Sequence, residues 1–114
     1  MLDTSTNLQE EQSGSYELSI NLHESKFPVI KIDFEGTILY ANKAAFGIIQ
    51  EWGCAASRKL PVNLMQTHPE FMDRQANLET EIVSANKVFK FNVIAFKEAG
   101  YTGLYGYEEK IISQ

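Results

Sequence analysis

Apolar positions change period several times along the chain, and each change marks an expected element. Residues 1–15 are polar and carry no apolar period, so a flexible leader is expected there. From Tyr16 to Ser25, Tyr16, Leu18, Ile20 and Leu22 alternate as in a strand, but Leu18/Leu22 and Tyr16/Ile20 also meet the i, i+4 spacing of a helix. Helix and strand both remain open for that segment. Phe27 to Asp33 (FPVIKID) and Thr37 to Ala41 (TILYA) are β-branched and aromatic runs that predict two strands. Pro28 stands near the start of the first, where a missing amide donor is tolerated. Asp33-Phe34-Glu35-Gly36 predicts the hairpin turn between them: the Asp carboxylate can accept from the backbone two residues on, and Gly36 takes a conformation that a side chain resists.

A helical period follows. Ala45, Ile48, Ile49 and Trp52 share one face, Asn42 is placed to cap the first turn, and Gly53 stands just past the end. From Cys54 to Asn77, with Pro61 and Pro69, short helical turns and loops are expected. The last third predicts a meander of Glu79 to Ser84, a turn at Ala85-Asn86, Val88 to Lys97, a turn near Glu98 to Gly100, and Tyr101 to Tyr107. In its middle strand Phe89, Phe91, Val93 and Ala95 share one face, expected to be core. Ile94 and Phe96 make the opposite face partly apolar, and Tyr16 to Leu22 or a second subunit is the expected cover.

Composition narrows the function classes. The 114 residues suit one domain, and with 10 basic against 15 acidic residues the net charge is −5. Nucleic-acid binding needs a basic face and is not expected. No apolar run approaches the roughly 18 residues that span a bilayer, and residues 1–15 lack the apolar segment of a signal peptide, so a cytoplasmic protein without membrane insertion is expected. The lone Cys54 cannot form an internal disulfide, and no Cys/His spacing suits a metal.

The order of elements and several residues resemble a PAS domain. The opening Phe27-Pro28-Val29-Ile30-Lys31-Ile32-Asp33, then Gly36, Ile38, Tyr40, Ala41-Asn42 and Ala44-Ala45, is similar to the PAS pattern of strand, D-x-x-G turn, strand and Asn-led helix. The closing Glu98-Ala99-Gly100-Tyr101 and Leu104-Tyr105-Gly106 resemble the final strand of PAS domains in bacterial sensor histidine kinases and related signalling proteins. The resemblance covers about residues 16–107, leaving 108–114 as a tail or the start of a linker. It implies an α+β fold with a five-stranded antiparallel sheet in order 2-1-5-4-3 and helices on one face. It also implies a non-enzymatic signal-transduction module that dimerises and binds a small apolar ligand reversibly, working with a signalling effector domain or partner. Pocket-lining candidates are Phe46, Ile49, Phe89, Phe91 and Val93; dimer-interface candidates are Tyr16, Leu18, Ile20, Leu22, Ile94 and Phe96. One departure stands out: sensor-kinase PAS domains commonly close on an Asp-Ile-Thr junction, whereas Gly106 is followed by Tyr107-Glu108-Glu109-Lys110.

Candidate chemistry is sparse. Flavin-adduct PAS domains use a cysteine in an Asn-Cys-Arg context, but here it is Gly53-Cys54-Ala55, so a structural thiol is expected. Haem-binding relatives use a helical axial histidine, but Pro69 biases His68 away from helical geometry, so neither haem nor flavin is expected. Tyr101, Tyr105 and Tyr107 alternate and are expected to cover a sheet face rather than hold a ligand. The alternative is a hot-dog or cone-fold enzyme such as a thioesterase, which needs a positioned acid or base in a pocket.

Overall fold

The structure is a computed structural model, and it describes residues 26–112. The interface candidates Tyr16, Leu18, Ile20 and Leu22, and the expected leader, lie outside the described residues. Five strands form one antiparallel sheet: β1 (Val29–Asp33), β2 (Ile38–Ala41), β3 (Asn77–Ser84), β4 (Lys87–Phe96) and β5 (Tyr101–Ile111). Their order is β2-β1-β5-β4-β3, the order that the PAS resemblance implies. Between β2 and β3 run a 3-10 turn (Lys43–Ala45), helix α1 (Phe46–Glu51), helix α2 (Val62–Thr67) and a second 3-10 turn (Pro69–Met72).

The period-2 rule places the core. Ile30 and Ile32 of β1, Phe89, Phe91 and Val93 of β4, and Leu104 of β5 are buried in one cluster with Ala45, Ile48 and Ile49 from the helical side. The helices therefore cover the inner face of the sheet, and the odd-numbered core side chains of β4 point towards them. Trp52 contributes only partly, because α1 ends at Glu51 and Gly53 turns the chain at a φ of +75°.

The first hairpin forms as its residues require. The Asp33 carboxylate accepts from the amides of Glu35 and Thr37, both at 2.9 Å, and Gly36 has a φ of +89°. Burial pushes the Asp33 carboxyl upward, but these bonds and the nearby Lys59 outweigh it and hold the group below its ordinary value of 3.8. A carboxyl depressed by folding stabilises the fold above its unfolded value and loses that contribution as pH falls through its lower folded value. The urea midpoint of the native chain should therefore fall below about pH 4, and Asp33→Asn, which keeps the acceptor oxygen without the charge, should lose that part of the acid dependence. Identical acid profiles for the two proteins would show that the turn carboxylate does not contribute.

The chain departs from expectation at its C-terminal end. Residues 108–111 are not a tail: β5 continues through Ile111, with Glu108 opposite Lys90, Glu109 opposite Phe89 and Lys110 opposite Val88. Two cross-strand ion pairs, Lys87–Glu109 at 3.1 Å and Lys90–Glu108 at 3.8 Å, accompany the ladder. Charged residues form a strand here because the β4–β5 ladder supplies the backbone partners. A bulge at Tyr107 of β5, opposite the Lys90–Phe91 step of β4, shifts the register so that Phe91 faces Gly106 and Lys90 faces Glu108. The expected regular alternation of Tyr101, Tyr105 and Tyr107 is broken there.

Candidate functional site

Two surfaces stand out, a pocket at the β2 edge of the sheet and the outer face of the sheet, and Tyr40 borders both. The first is a pocket of about 590 Å³ beside the edge strand β2, within the size range of small-molecule sites. Three elements build it. Strand β2 supplies Ile38, Tyr40 and Ala41, helix α1 supplies Phe46, Ile49 and Gln50 at helical spacing, and the segment after α1 supplies Cys54, Ala55 and Arg58. That segment is held against β2 by backbone bonds: the Ile38 amide donates to the Arg58 carbonyl at 2.7 Å, and Leu60 donates to Gly36 at 2.9 Å. The Arg58 amide donates in turn to the Cys54 carbonyl at 2.8 Å. Arg58 adopts a φ of +62°, a left-handed conformation that costs a residue with a side chain about 1–2 kcal/mol.

The interior of this pocket is apolar and its rim is polar. Ile38, Ile49 and Cys54 are buried, whereas Gln50 and Arg58 are exposed. Phe46 lines the mouth at 52% exposure. Of the expected lining residues, Phe46 and Ile49 do line it. Phe89, Phe91 and Val93 instead fill the packed core, away from the lining. Ile38, Tyr40, Ala41, Gln50, Cys54, Ala55 and Arg58 were missed as lining residues. The i, i+3, i+4 relation of Phe46, Ile49 and Gln50 could have found Gln50, but nothing local announces Arg58.

The titratable groups of the pocket are poor acids and bases. Burial pushes the Cys54 thiol up, and its Sγ lies 3.7 Å from the Ile49 carbonyl oxygen. Burial likewise raises the Tyr40 hydroxyl, which is enclosed with no hydrogen-bond partner among the described residues, as is the hydroxyl of Thr102. His68 does not line the pocket. It sits between α2 and the second 3-10 turn with φ −126° and ψ 69°, its ring stacked on Phe71 at 4.9 Å and its Nδ1 2.9 Å from Glu70 Oε2. Among the described residues, no cluster of three or more His, Cys, Asp or Glu side chains could hold a metal ion.

The second surface is the outer face of the sheet. Aromatic rings and one cation cross it from β2 to β4: the Lys31 ammonium lies 5.5 Å from the Tyr40 ring and 5.3 Å from the Tyr101 ring, and Tyr101 meets Phe96 at 5.1 Å. Tyr105 lies flat over Gly103, where an added Cβ would overlap its ring. Burial, with the bond that its hydroxyl donates to Tyr101, pushes the Tyr105 phenol up to about 12. Phe96 remains 36% exposed, Ile94 is half-buried, and Leu39 on β2 is exposed. Strand alternation brings Ile94 and Phe96 to this face together, and Tyr101 and Tyr105 join them as sheet cover. Tyr107 is displaced by the bulge, and its hydroxyl is raised by burial and by Glu79.

No family model matches the chain, and no curated protein matches it. Among solved structures, it is similar to the PAS domain of BvgS from Bordetella pertussis, with 14% sequence identity, a TM-score of 0.45, and coverage of 90% of this chain and 88% of that one. The five-strand order and its register are observed in the chain itself. No helix among the described residues is long and apolar enough to cross a membrane.

Proposed function

We propose that the chain is a PAS-type sensor and interaction module of signal transduction that acts by self-association rather than by catalysis. The observation that carries this reading is the outer face, where Ile94, Phe96, Tyr101 and Leu39 present apolar surface on the side of the sheet opposite the helices. A second copy applied to that face buries the same residues twice, as a two-fold interface does. The pocket beside β2 supplies the sensing half: a small apolar ligand fits its interior and binds reversibly, because the thiol is protonated and buried. Such a ligand shifts association only if it binds the paired and unpaired forms unequally. A reducing, cytoplasmic setting suits the free Cys54, and a histidine kinase or other effector is the kind of partner the module would serve.

The enzyme alternative, a thioesterase-like hot-dog or cone fold, has less support. Its pocket would offer Tyr40 and Cys54, both held protonated by burial, and an arginine, with no carboxylate or histidine among the lining residues. Light scattering on the whole chain and on a chain beginning at Lys26 tests the association. The whole chain is expected to dimerise, and a weaker dimer from the shorter chain would assign Tyr16 to Leu22 to the contact. Two monomers at high micromolar concentration would refute the proposal.

A further inference from the structure

The pocket beside β2 carries a charge that its surroundings do not use. Among the described residues, the basic side chains of this acidic protein mostly have partners: Lys59 bonds the Glu35 carbonyl and Thr37, Arg74 lies over the Phe34 ring, and Lys87, Lys90 and Lys110 pair with glutamates. The Arg58 guanidinium makes no such contact there, and it is the only charged side chain lining the pocket. The backbone on both sides of it is pinned, through the Arg58 amide to Cys54 and the Arg58 carbonyl to Ile38. The left-handed conformation at Arg58 thus fixes where this side chain leaves the loop. Strain of that kind in a non-glycine residue gathers at functional positions.

We propose that this pocket takes a small monocarboxylate with an apolar tail, the tail lying on Ile38, Ile49 and Cys54 and the carboxylate meeting Arg58 at the rim. The inference rests on the reading that the module binds a small ligand, and it names that ligand's class. The chemistry follows from the arrangement of polarity. Buried apolar walls select a hydrocarbon or aryl tail, and a planar guanidinium offers paired donors that match a carboxylate. One cation, with one side-chain amide, Gln50, also lining the pocket, balances a singly charged head group and leaves the second charge of a phosphate without a partner. No acidic lining residue repels the anion.

The test is a titration of the ¹⁵N-labelled whole chain with sodium octanoate, 1-octanol and octyl phosphate, which share a tail and differ in head group. Octanoate is expected to give saturable amide shifts at Ile38, Ile49, Cys54 and Arg58, with about tenfold or greater preference over octanol. Arg58→Gly removes the cation and relieves the backbone, so the variant should fold at least as well; it should abolish that preference, bringing octanoate to the level of octanol. Equal binding of octanol and octanoate, with Arg58→Gly indifferent, would overturn the carboxylate assignment and leave the ligand-binding reading standing. Tighter binding of octyl phosphate than of octanoate would also overturn the assignment. Saturable shifts from none of the three, or shifts confined to the outer sheet face, would overturn both.

Discussion

Replacing Asn42 by Ala is expected to destabilise the fold by about 3–5 kcal/mol, a large part of the roughly 5–15 kcal/mol that holds a domain together. The cap alone does not account for this. Asn42 is fully buried, and its Oδ1 accepts from the Ala45 amide at 3.2 Å and from the Val29 amide at 2.9 Å. Its amino group donates to the Phe27 carbonyl at 3.0 Å, and its own amide donates to the Val29 carbonyl at 3.0 Å. One side chain thus ties the first helical turn to the start of β1. Losing an N-cap costs about 0.5–2 kcal/mol, and each buried backbone group left without a partner adds about 1–3 kcal/mol. Urea denaturation measures the sum. Asn42→Asp, which keeps the acceptor and loses the donor, should fall between the native chain and the alanine variant. A loss below about 1 kcal/mol in the alanine variant would mean that the bonds to Val29 and Phe27 contribute nothing net.

Phe96→Glu is expected to weaken self-association by about 10- to 100-fold, because it removes apolar area worth roughly 1.5–3 kcal/mol when fully buried and sets like charges across a two-fold contact. The fold itself should lose far less. Phe96 lies on the outer face, and its chief intramolecular partner is the Tyr101 ring, a contact of about 0.5–1.5 kcal/mol. Sedimentation equilibrium gives the change in association, and urea denaturation gives the change in stability. A dimer of unchanged strength would place the interface on another surface.

These two residues show how far local sequence patterns reach. Asn42 is legible as a cap because a cap is a relation between neighbours, but its bonds to Val29 and Phe27 span 13 and 15 residues. The inner and outer faces of β4 follow from alternation alone, which is why Phe91 in the core and Phe96 outside were both legible. The end of β5 was not. Tyr107-Glu108-Glu109-Lys110 has the composition of a solvated tail, and only its pairing with Lys87 to Lys90 across a bulge makes it a strand. The pocket was legible in part, through the helical spacing of Phe46 and Ile49. Its other wall depends on the Cys54 to Leu60 segment folding back on β2, and a left-handed Arg58 has no propensity signature. The aromatic residues of the core, Phe89 and Phe91, suggested a ligand cavity, but close packing against Ile48 and its neighbours fills that space.

Two copies are expected to meet through the outer face of the sheet, and nuclear Overhauser contacts between differently labelled chains test this most directly. Equal amounts of ¹³C-labelled and unlabelled whole chain, mixed and allowed to exchange, permit only intermolecular contacts to be selected. The Ile94 methyl groups of one chain should show contacts to the Phe96 and Tyr101 rings of the other. Intermolecular contacts that arise instead from residues around the pocket, such as Phe46, or none at concentrations where the protein is dimeric, would contradict this arrangement.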